Sequence, residues 1–125
     1  MKCIEYAKEY IRQKGFKIIR EDEHYISFYY QMNCIYLFDN EEQDDFMVVS
    51  LPDFTDITQD NIDQARLIIE QVNCISKQVK LFIKKDTLWA TAEIYFCSQN
   101  DFNFQFKKAL HNLIEAKSIY ERLEN

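Results

Sequence analysis

Residues 57–96 read ITQDNIDQARLIIEQVNCISKQVKLFIKKDTLWATAEIYF, and two hydrophobic periods meet inside them. Ile62, Ala65, Ile68, Ile69, Val72 and Ile75 recur every three or four residues, with Asp63, Gln64, Arg66, Glu70 and Gln71 between them. That spacing puts the apolar set on one stripe and predicts an amphipathic helix of about 18 residues. Asp56, Thr58 and Asp60 precede it, where oxygens and negative charge meet the unpaired N–H groups of a first turn. From Val79 the period is two. Val79, Leu81 and Ile83 alternate with Lys80, Phe82 and Lys84; Leu88, Ala90, Ala92, Ile94 and Phe96 alternate with Trp89, Thr91, Glu93 and Tyr95.

A β-hairpin turning at Lys85-Asp86 accounts for both runs. The glycine that a tight hairpin turn favours is missing, so a two-residue turn and a four-residue loop both fit. Either one pairs Ile83 with Leu88, Phe82 with Trp89 and Leu81 with Ala90. One face is then wholly apolar, and the other carries Lys80, Phe82, Lys84, Trp89, Thr91, Glu93 and Tyr95. A slip of one residue would mix the two sets, so the register is well specified.

Working outward, Cys3, Ile4, Ala7, Tyr10 and Ile11 form the apolar stripe of a helix over residues 2–14, and Gly15, the only glycine, stands where a left-handed residue ends a helix. Residues 16–20 read as a short extended lead-in. Strands are expected over 24–31 and 34–39 around a turn at Met32-Asn33, with Ile26, Phe28, Ile35 and Leu37 on one face and Ser27, Tyr29, Tyr36 and Phe38 on the other. A third strand runs from Phe46 to Leu51 and is expected to stop at Pro52, which has no N–H for a ladder. Ser98-Gln99-Asn100-Asp101 is a capping run ahead of a final helix from Phe102 to Leu123. The order is α-βββ-α-ββ-α. Short connections imply antiparallel pairing, so the fold class is α+β: one antiparallel five-stranded sheet packed with helices in a single domain, residues 1–125.

This order resembles the type III secretion chaperone-like superfamily, and more closely its YbjN-type branch, the bacterial sensory-transduction-regulator-like domains. The resemblance covers essentially the whole chain. It is carried by Gly15-Phe16, Ile26-Ser27-Phe28, the run from Asp45 to Phe54, Val72-Asn73, Val79-Lys80-Leu81, Leu88-Trp89-Ala90 and Glu93-Ile94-Tyr95-Phe96. Each piece is short and apolar; their order and spacing make the case. Members turn the first hairpin with a glycine where this chain has Met32-Asn33. The resemblance implies no catalytic motif. It implies a homodimer, with the central helix as the contact, that wraps an extended segment of a partner protein.

Composition sets limits. A chain of 125 residues, 47% hydrophobic and 29% charged, has the makeup of a soluble globular domain. The net charge of −6 makes nucleic acid a poor partner, since duplex binding needs lysines and arginines on phosphates. No apolar run is long enough for a bilayer, and the charged start Met1-Lys2-Cys3-Ile4-Glu5 is not a signal region, so a cytoplasmic protein is expected. Cys3, Cys34, Cys74 and Cys97 form no CxxC pair and neither His24 nor His111 stands near one in sequence; zinc spacing is missing, and free thiols are expected. The acidic turn from Asp39 to Asp45 lacks the central glycine and closing glutamate of a calcium loop. With one glycine, phosphate-cradling loops are excluded. No metal, cofactor or enzymatic activity is expected.

What remains is aromatic. Phe82, Trp89 and Tyr95 share the less apolar face of the hairpin, and Tyr29, Tyr36 and Phe38 raise the same question one hairpin over. Either a helix or loop covers these rings, or they form an exposed patch that binds a protein segment or a second copy. The expected function is a non-enzymatic protein-binding, chaperone-like or regulatory module with Phe82, Trp89 and Tyr95 as partner-binding residues. The alternative is a regulatory domain sensing a small ligand held between sheet and helices.

Overall fold

The computed structural model describes residues 2–40 and 42–125; Met1 and Glu41, the latter in the acidic turn, lie outside the described residues. The chain runs α1 (Cys3–Lys14), β1 (Ile18–Glu21), β2 (Tyr25–Tyr30), β3 (Asn33–Phe38), β4 (Phe46–Asp56), α2 (Ile62–Ile75), β5 (Val79–Lys84), β6 (Thr87–Tyr95) and α3 (Gln99–Glu124). One antiparallel sheet holds six strands among the described residues, in the order β1-β2-β3-β4-β6-β5. The expected count of five is corrected by one. The lead-in after α1 is a true strand, because Ile18 pairs with Phe28 and Arg20 with Ser27 across an irregularity at Ile19.

All three helices lie on one face of the sheet. Ile26, Phe28, Ile35, Leu37, Met47, Val49, Leu81, Leu88, Ala90 and Ile94 point into that layer and are buried with Ile4 and Ile11 of α1, Ala65, Ile68 and Val72 of α2, and Phe102, Phe106, Leu110 and Leu113 of α3. α1 ends as expected: Gly15 has φ 70°, and its N–H and that of Phe16 donate to Arg12 O and Ile11 O. α3 begins three residues earlier than expected, at Gln99, since Ser98 Oγ accepts from Asp101 N and Asp101 Oδ2 accepts from Cys97 N. That reciprocal pair caps the first turn.

The β5–β6 hairpin has the expected register. Lys85 and Asp86 both have positive φ, 50° and 64°, which is the tight two-residue turn whose twist matches the strands. The first hairpin uses the same device one position earlier than expected. Gln31 and Met32, with φ 49° and 65°, make its turn, and Asn33 already belongs to β3. Moving the turn by one residue changes pairing partners by two, so the faces survive: Ile26 pairs with Leu37 and Phe28 with Ile35.

Pro52 does not stop β4. The strand continues to Asp56, but Leu51 pairs with Ala90 and Thr55 with Leu88, so four residues advance against two. Pro52 and Asp53 sit in that bulge, Asp53 at φ 49°. A bulge tolerates a missing N–H that a regular ladder would not. α2 spans 14 residues, shorter than expected at its N-terminal end. There Asn61 turns its side chain back, accepting from Thr58 N and donating to Asp56 O.

Candidate functional site

Alternation fixes what the uncovered face of the sheet presents. With Leu81, Ala90 and Ile94 under the helices, Phe82, Trp89 and Tyr95 point to the other side, where no helix packs among the described residues. Phe82 is 38% exposed and Tyr95 62%, while Trp89 is half-buried among neighbours on its own face. The Phe82 ring stacks beside Trp89 at 6.3 Å, Tyr36 meets Trp89 edge-on at 6.4 Å, and the Lys84 ammonium sits 4.5 Å over the indole. Trp89 Nε1 donates to Thr87 Oγ1, which donates in turn to Asp53 in the β4 bulge. The indole is therefore held by a ring on each side, a cation above and a hydrogen bond at its edge.

Tyr95 belongs to a second cluster. It lies six residues along β6 from Trp89, about 20 Å at ~3.3 Å per residue, and packs on Phe46 at 4.8 Å. Between the clusters runs a register row, Arg20, Ser27, Tyr36, Ser50, Thr91 and Lys80, one residue from each strand. The small hydroxyl side chains of Ser50 and Thr91 leave the floor low between the rings. A hollow of about 550 Å³ opens beside it, lined by Phe38, Phe46, Val48 and Ser50 with Asp39, Asn40, Glu42 and Gln43 at its rim. The three residues singled out from sequence thus lie on one open face but not in one cluster. Tyr36, Tyr25, Phe38 and Phe46 complete it: Tyr25 packs on Tyr36 at 5.7 Å and on Phe38 at 4.9 Å. The signal for Phe46 was its alternation with Met47, Val49 and Leu51.

One other constellation holds reactive side chains. Asp39 Oδ1 accepts from the Cys3 thiol at 3.2 Å and from Ile4 N, and its Oδ2 lies 3.4 Å from His24 Nδ1. Sequence spacing did not bring these together. Burial pushes the Cys3 thiol up to about 11, with the Asn40 N–H opposing and Asp39 adding to it. A thiol that stays protonated is not a nucleophile. Burial alone would raise the Asp39 carboxyl; the Cys3, His24 and Ile4 contacts outweigh it and hold that carboxyl below its ordinary value. The group is a clasp joining the start of α1 to the end of β3. Among the described residues no three His, Cys, Asp or Glu side chains gather in a metal-holding group, and no helix is long and apolar enough to cross a membrane.

Solved structures share this architecture. The E. coli protein YbjN, a candidate transcription regulator, superposes with a TM-score of 0.68 at 11% identity over 94% of this chain and 89% of its own. The Yersinia pestis type III secretion chaperone SycH, solved in complex with a stable fragment of YscM2, gives a TM-score of 0.61 at 15% identity over 92% of this chain and 97% of its own. The chain has the YbjN-type, type III secretion chaperone-like fold. An uncharacterized protein from Methanothermobacter thermautotrophicus has it too, with a TM-score of 0.60 at 15% identity over 96% and 95% of the two chains. No family model and no curated protein matches by sequence. The likeness is one of fold, at 11–15% identity.

Proposed function

We propose that this chain is a protein-binding module, chaperone-like or regulatory, whose open sheet face takes a segment of a partner protein. The observation that carries this is the uncovered aromatic face: rings from β2, β3, β4, β5 and β6 stand on the side without helices, rimmed by Lys80, Lys84 and Glu93. A half-wet face with large aromatics suits recognition, since Trp and Tyr anchors supply most interface energy. The low row at Ser50 and Thr91, with the Phe82–Trp89 rings on one side and the Phe46–Tyr95 rings on the other, suits an extended segment of about six residues. The SycH complex supports a protein as the occupant.

A homodimer through α2 is part of the same proposal. Leu67 on the outer side of α2 is 65% exposed, and a two-fold contact would bury both copies of it. A cytoplasmic location is proposed on the same footing. The test is affinity capture from lysate of the source cell with the wild-type chain and with Trp89→Ala. One dominant protein retained by the wild type and lost by the variant supports the proposal. A copurifying small molecule instead of a protein supports the ligand-sensing alternative.

A further inference from the structure

The helical layer carries a second surface of different chemistry. A groove of about 670 Å³ runs over α3 beside the end of α2. In a chain of net charge −6, Lys77, Lys107 and Lys108 converge on it, and none of the three has a carboxylate within 4 Å among the described residues. The acid on its wall, Glu115, lies 3.2 Å from His111. Phe104 and Ile75 are exposed on the same lining, and the Lys108 ammonium rests 5.1 Å over the Phe104 ring. Ser76, on the same wall, has a buried hydroxyl with no hydrogen-bond partner among the described residues.

We propose that this groove docks an acidic protein segment in which carboxylates alternate with large apolar side chains. Lysines alone would suit any anion. The exposed Phe104 and Ile75 add apolar area that a phosphate or a nucleic-acid backbone leaves unused, and a polyanion longer than the groove meets the repulsion of the negatively charged remainder. A fatty acid uses the apolar area but brings one carboxylate to three lysines. An alternating segment uses both sets. From Phe104 to Ile119 the groove follows α3 for about 22 Å at ~1.5 Å per residue, the reach of six or seven extended residues at ~3.3 Å each.

The full chain is titrated by fluorescence polarisation with a fluorescein-labelled octapeptide alternating aspartate with leucine and phenylalanine. Octaglutamate, laurate and inorganic phosphate serve as competitors. Lys107→Gln with Lys108→Gln changes exposed residues and leaves the core intact. Saturable binding is expected, weakening as salt rises from about 50 to about 500 mM, falling at least about tenfold in that double variant and several-fold in Phe104→Ala. Trp89→Ala should leave it unchanged, which separates this site from the sheet face. Binding that ignores the lysine substitutions overturns the proposal. So does equal competition by octaglutamate, which would show charge without apolar recognition, or tighter competition by laurate or phosphate, which would show a small-anion site.

Discussion

The Tyr36 ring on β3 meets the Trp89 ring on β6 edge to face at 6.4 Å, although β4 runs between their strands. The two can touch because β4 places small Ser50 opposite Tyr36 and then bulges at Pro52 and Asp53. The aromatic face is thus a built surface, with rings braced across three strands.

Asn73 closes the β5 edge of the sheet. Its side-chain oxygen accepts from Leu81 N at 2.7 Å and its amide donates to Leu81 O at 3.1 Å, so α2 supplies the partner a neighbouring strand would give. Asn73→Ala should cost about 1–3 kcal/mol by leaving those backbone groups without it, and expose an edge prone to pairing with other chains. Urea unfolding with light scattering reads both; unchanged stability would show that the edge is satisfied otherwise.

Ile94 is buried at the centre of the helix-covered face. Ile94→Asp should unfold the chain, since an unpaired buried carboxylate costs several kcal/mol. A cooperatively melting, soluble variant would place the core elsewhere.

The Cys3–Asp39 clasp gives one carboxyl a share in acid stability. The folded Asp39 carboxyl titrates below its ordinary value, so its contribution is present above about pH 4, the unfolded value, and is lost as pH falls through the lower folded value. Melting temperature followed from neutral to acid pH should fall less steeply below about pH 4 in Asp39→Asn than in the wild type. Identical slopes would remove Asp39 from acid sensitivity. The same clasp should keep Cys3 unreactive: brief alkylation at neutral pH should label the exposed Cys74 and Cys97 and spare Cys3, as peptide mapping would show.

The exposed Leu67 bears on self-association. Sedimentation at tens of micromolar, roughly where weak dimers form, should give a dimer that Leu67→Asp dissociates. A monomeric wild type would end the dimer proposal.

Much of this architecture was legible because alternation is strict wherever one face is buried. The hairpin register from Val79 to Tyr95 and the shared faces of Ile26, Phe28, Ile35 and Leu37 followed from period alone. The errors fell where backbone conformation, not burial, decides. Gln31-Met32 adopts left-handed conformations without glycine, which no hydrophobic pattern records, so the first turn was placed one residue late, whereas the turn at Lys85-Asp86 stands where it was expected. A proline ends most strands, but a bulge absorbed Pro52. Phe82, Trp89 and Tyr95 were placeable on one face from sequence; their separation into two clusters depends on Tyr36 and Phe46, which come from other strands. The Cys3–Asp39–His24 clasp joins residues far apart in the chain and left no local spacing to read.

The central claim is that Trp89 serves recognition more than folding. The direct measurement is partner capture per folded molecule for wild type and Trp89→Ala, with melting curves recorded on the same samples. The account expects retention to fall by about 2 kcal/mol or more, some thirtyfold, as for an interface hot spot, while the melting temperature falls by about 5 °C, as the loss of cross-strand ring contacts worth about 1 kcal/mol requires. A melting temperature that drops sharply, with capture per folded molecule unchanged, would make Trp89 a core residue and place the binding surface elsewhere.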